Sequence, residues 1–133
     1  MEVLTAMGMA RFLDLAEELE MAGLRWMPEI GDEVSARKDK NSISVLVDPQ
    51  GLSPDQLRAV YLWLPSVEQM VLQFEARQAV LFHAGLELGT NEIYYKTIVQ
   101  SNQGAIEARA ENLRLAFGMA LRGLLMSAQR CLH

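Results

Sequence analysis

The 133 residues carry a formal charge of -5; half of them are hydrophobic and 22% are charged. That balance fits a soluble folded chain, excludes an intrinsically disordered one, and opposes binding to nucleic acid or an anionic membrane surface. Cys131 is the only cysteine, which excludes an intrachain disulfide and a cysteine zinc site.

A chain of this length suits one domain, residues 1–133, with a core of its own. Its charge is uneven. Residues 1–33 hold eight acids against Arg11 and Arg25, while residues 103–133 hold four arginines against two glutamates. The two ends are expected to pack together with complementary charge, or else to leave an acidic surface for a partner. Charge-free runs such as the nine residues Gln78–Leu86 fall well short of a membrane span. The start, Met1-Glu2-Val3-Leu4, has no basic stretch ahead of its apolar residues and does not read as a signal peptide. The expected compartment is the reducing cytoplasm.

A first helix is expected from about Glu2 to Ala22, because Leu4, Gly8, Phe12, Leu15, Leu19 and Ala22 recur on one helical face. Gly23 is its natural left-handed stop, and Met7 and Met9 add a looser apolar flank. Glu33–Arg37 and Ser42–Val47 then read as two strands around Lys38-Asp39-Lys40-Asn41, and Asp48-Pro49-Gln50-Gly51 reads as a type I turn. Ser53-Pro54-Asp55-Gln56 is a strong helix start, with a capping serine, proline at the first helical position and glutamine closing the box. That helix carries Leu57, Val60, Tyr61 and Leu64 as far as Pro65, where a break or kink is expected.

A further helix is expected over Ser66–Leu88, turning Val67, Met70, Val71, Phe74, Leu81 and Leu88 inward, and Gly89 ends it. Thr90–Ser101 is ambiguous. Ile93–Val99 has strand propensity, but Tyr95, Val99, Asn102 and Ile106 are in helical register with the last stretch of the chain, so one helix from Glu92 onward is favoured. That last stretch, Gly104–Ala128, has the longest amphipathic pattern in the chain, through Ile106, Ala110, Leu113, Phe117, Leu121, Leu124 and Ala128. Ala105, Ala108, Ala116, Ala120 and Gly123 form a second stripe of small residues beside it, suited either to packing within the chain or to a second copy.

Residues able to carry chemistry are few. His83 is the only internal histidine, and Glu87 lies one turn later if the segment is helical, a spacing that can hold a metal or pass a proton. Neither a third ligand nor a second internal histidine accompanies them, so no metal site is assigned. Cys131 and the terminal His133 lie on a tail that cannot fix a nucleophile–base pair. The chain has no Gly-x-Ser-x-Gly elbow, no Walker loop and no Gly-x-Gly-x-x-Gly. No catalytic residue and no cofactor is therefore assigned.

The expected architecture is α+β and helix-dominated: an N-terminal helix, a β-hairpin, then a kinked helix and a long C-terminal helix packed as an antiparallel helical pair. The expected function is that of a non-enzymatic protein-interaction or adaptor module acting through amphipathic helix faces as a homodimer. The alternative is a small-molecule-binding protein or enzyme whose pocket is lined by Trp63, His83, Glu87 and Tyr95. Partners are another protein or a second copy, without nucleic acid or membrane.

Overall fold

The first helix ends where the chain meets a residue free to turn left-handed. In the computed structural model, which describes residues 2–131 and the side chains of residues 8–129, helix α1 spans Glu2–Met21. Gly23 follows at φ 108°. Its N–H donates to Glu20 O at 3.1 Å, and Leu24 N–H donates to Leu19 O at 2.9 Å. This pair of bonds is the Schellman end that a glycine past the last turn permits. Phe12, Leu15, Leu19 and Ala22 are buried, as the stripe predicts. The side chains of Leu4, Met7, Arg130 and Cys131, and all of His133, lie outside the described residues.

The hairpin forms, with a tighter turn than expected. Strands β1 (Glu33–Ala36) and β2 (Asp39–Val45) pair antiparallel. The turn at residues 48–51 is displaced by one residue: Gln50 and Gly51 both have positive φ, and Leu52 N–H donates to Pro49 O at 2.9 Å. Positive φ at both central positions makes it a left-handed turn instead of type I.

Helix α2 (Pro54–Val60) starts as its capping box dictates: Gln56 N–H donates to Ser53 Oγ at 3.2 Å, and Ser53 N–H donates to Gln56 Oε1 at 2.8 Å. The helix does not reach Pro65. Tyr61–Trp63 is strand β3, paired with β1. Ser66 opens helix α3 (Val67–Ala76) through a second capping box, with Gln69.

Here the helix-dominated expectation fails. The chain is α+β, but it is built on two three-stranded antiparallel sheets, of order β2-β1-β3 and β4-β5-β6. The helix expected over Ser66–Leu88 stops at Ala76. Gln78 takes φ 59°, its N–H donates to Glu75 O at 3.0 Å, and Ala79 N–H donates to Phe74 O at 3.0 Å. That is the same helix end as at Gly23, built without a glycine. Val80–Leu88 is strand β4, Ile93–Ser101 is β5, and Gly104–Ala110 is β6, so no helix starts at Glu92 or Gly104. A two-residue loop joins the last two strands, with Ser101 opposite Gly104. The last helix, α4 (Leu113–Cys131), begins only after Asn112, whose Oδ1 accepts from Leu115 N–H at 2.8 Å. Among the described residues there is no antiparallel pair of long consecutive helices; α4 packs on α1, β6, β5 and the short α3 instead.

Both stripes of α4 are used inside the chain. Phe117, Leu121 and Leu124 are buried in the core, as are Ala116 and Ala120. A Cβ on Gly118 would meet Leu15 of α1, and one on Gly123 would meet Ile106 of β6. The ends also pair by charge. Arg122 contacts Glu18, Arg11 contacts Glu111, and Arg114 reaches Glu33 at 2.8 Å. A buried carboxylate ties the loop after α1 to α3: Asp32 accepts from Trp26 Nε1 at 2.8 Å, Glu29 N–H at 2.9 Å and Gln69 Nε2 at 2.7 Å.

Candidate functional site

Directly opposed residues in antiparallel strands share a face. Thr97 and Val99 of β5 are buried, and Ala108 and Ile106 oppose them on β6, so this face is the one α4 covers. On β4 the same face carries Ala84, Leu86 and Leu88, opposite Thr97, Tyr95 and Ile93. Helix α4 lies over β5 and β6, and this part of β4 is left in solvent. Leu86 is 56% exposed and Leu88 is 79% exposed. Phe82, at the register shift between Leu81 and His83, is 74% exposed. An edge strand of nine residues thus shows an apolar row beside an unpaired backbone edge.

The other edge of this sheet is different. Strand β6 points Glu107 and Arg109 outward, the kind of charged guard that discourages strand addition. Strand β2, an edge of the other sheet, exposes Asp39, Lys40, Asn41 and Ser42. Only Glu87 is a full formal charge on β4, and no proline interrupts it.

The opposite face of β4-β5-β6 is polar. His83 Nε2 lies 3.3 Å from Glu87 Oε1, reaching along the strand over Gly85. The contact is not aligned as a hydrogen bond, and Nε2 is shielded from solvent without one. Lys96 Nζ stands 3.6 Å from Glu87 and 2.9 Å from Glu107, and Arg109 stands 3.5 Å from Glu107 and over the Tyr94 ring at 5.0 Å. The hydrogen bond between Lys96 and Glu107 raises the lysine pKa and lowers that of the carboxyl, and desolvation opposes both shifts.

Of the four residues expected to line a pocket, the fold brings two together. His83 and Glu87 meet, but on the same face of a strand and not one turn apart on a helix. Tyr95 belongs to the α4-covered face, and Trp63 is buried in β3 of the other sheet. A cleft of about 450 Å³ at the ends of α1 and α4 is lined by Glu18, Met21, Ala22, Arg122, Met126 and Gln129. Among the described residues, no group of three His, Cys, Asp or Glu side chains is placed to hold a metal ion. Among them, too, no helix is long and apolar enough to cross a membrane.

The residues that helical periodicity conceals are Phe82, Leu86 and Leu88. The alternation Phe82-His83-Ala84-Gly85-Leu86-Glu87-Leu88 carries the strand's period of two and is the signal that could have found them. No protein-family model, curated protein or solved structure matches the chain.

Proposed function

We propose that the chain is a non-enzymatic protein-interaction module that works as a homodimer. The observation that carries this reading is the exposed apolar row on β4, an edge strand whose backbone groups have no partner on one side. Full burial of a Phe or Leu side chain is worth about 1.5–3 kcal/mol, so Phe82, Leu86 and Leu88 in water leave a sizeable gain unrealised. An unguarded edge is also a template for strand pairing.

The interaction surface is therefore a strand and not the helix faces expected from sequence, since both stripes of α4 are occupied within the chain. The separation of Trp63 and Tyr95 from the His83–Glu87 pair favours this reading over a ligand pocket. The charge of -5 opposes nucleic acid as a partner, and a single cysteine suits a reducing cytoplasm. Sedimentation velocity of the full chain at micromolar concentration tests the reading. Twice the single-chain mass is expected; a strict monomer across the accessible range would overturn it.

A further inference from the structure

Resting on the homodimer reading, we propose that β4 pairs antiparallel with β4 of the partner subunit about a two-fold axis at Gly85, joining two three-stranded sheets into one of six strands. A symmetric pair of this kind has its axis perpendicular to the sheet, so each face continues across the junction and opposed residues must share a face. Only registers centred on a residue satisfy that condition.

Centring on Gly85 sets His83 opposite Glu87 of the partner subunit, and Ala84 opposite Leu86 of the partner subunit. Phe82, at the register shift, then lies beside Leu88 of the partner subunit, so acid meets imidazole and apolar meets apolar from Phe82 to Leu88. Moving the centre to Ala84 sets Glu87 against Leu81 of the partner subunit and His83 against Gly85 of the partner subunit, so the acid and the imidazole no longer meet. Moving it to Leu86 sets Glu87 against Gly85 of the partner subunit and leaves His83 without a carboxylate there.

Gly85 sits beneath the His83 ring with room for a small side chain. The His83 ring leans over it toward Glu87, with Cε1 3.6 Å from where a Cβ would stand. Two such pairs meet at the axis as alternating imidazole and carboxylate. Glycine inside a strand commonly marks such a close approach.

Cysteine cross-linking reads the register. In a Cys131→Ser background, Ala84→Cys, Gly85→Cys and Leu86→Cys each add one thiol at an exposed or roomy position. Opposed Cα atoms in a β-ladder fall within the span a disulfide bridges. Under mild oxidation Gly85→Cys should give covalent dimer in highest yield. As a second readout that leaves Gly85 intact, an equimolar mixture of His83→Cys and Glu87→Cys chains should give more covalent dimer than either variant alone. Preferential cross-linking at 84 or 86 would overturn the register. A dimer by sedimentation that cross-links at none of these positions would overturn β4 pairing while leaving the homodimer reading intact. A monomer would overturn both.

Discussion

A Cβ built on Gly118 would stand 2.5 Å from Cδ2 of Leu15, so glycine in the middle of α4 is what lets this leucine of α1 seat against it. Glycine costs a helix about 1 kcal/mol relative to alanine, and the α1–α4 contact offsets that cost. Gly118→Ala should therefore destabilise the chain by about 1–2 kcal/mol through overpacking. In a Leu15→Ala background the same change should become neutral or stabilising, because the obstructing methyl is gone. A double-mutant cycle in urea checks this; equal effects in both backgrounds would show that the two residues do not meet.

The core pattern of α4 can be graded. Leu121 is fully buried, while Leu113 is half-buried at the rim of the core. Leu121→Ala should cost about 2–5 kcal/mol. Leu113→Ala should cost about 1–2 kcal/mol, since less of its surface leaves water on folding. Chemical denaturation of the two variants should rank them in that order.

Asp32 is the polar counterpart of this packing. Its buried carboxylate accepts from an indole, a backbone amide and a side-chain amide. Asp32→Ala strands those donors and should lose about 2–3 kcal/mol. Trp26 emission should shift with it in a Trp63→Phe background. An unchanged melting curve would mean that water replaces the carboxylate at no cost.

The pH response of the polar face rests on one hydrogen bond. Lys96 Nζ lies 2.9 Å from Glu107 Oε1, which holds the Glu107 carboxyl below its ordinary 4.5 and the Lys96 ammonium above its ordinary 10.5. A carboxyl depressed by folding stabilises above its unfolded pKa, and that contribution is lost as pH falls through the folded value. An ammonium raised by folding stabilises below its unfolded pKa, and that contribution is lost as pH rises through the folded value. The pair should contribute evenly between these limits. Lys96→Met should move the Glu107 carboxyl titration, followed by NMR, back toward 4.5; no movement would show that the pair does not persist in solution.

What could be read from sequence was local chemistry. The Gly23 stop and the Ser53–Gln56 capping box depend on a few adjacent residues, and both form as expected. What could not be read depends on remote partners or on an uncommon local solution. Gln78 stops α3 in a left-handed conformation that glycine or asparagine would have advertised. Tyr61–Trp63 becomes a strand because β1 lies alongside. Residues 104–110 fit both periods: Ile106, Ala108 and Ala110 alternate with Ala105, Glu107 and Arg109, while Ile106 and Ala110 also sit four apart. Asn112, whose side chain caps α4, marked the true helix start. The β4 surface was hidden for the same reason, because leucines assigned to a helix are assigned inward.

The most direct measurement is residue-resolved amide hydrogen exchange along β4. In a single copy, alternate amides of an edge strand point to β5 and to solvent, so every second one exchanges freely. Paired β4 strands protect both sets. Continuous protection from His83 to Glu87 is predicted at concentrations where the chain sediments as a dimer. Alternating protection under those conditions would contradict the account.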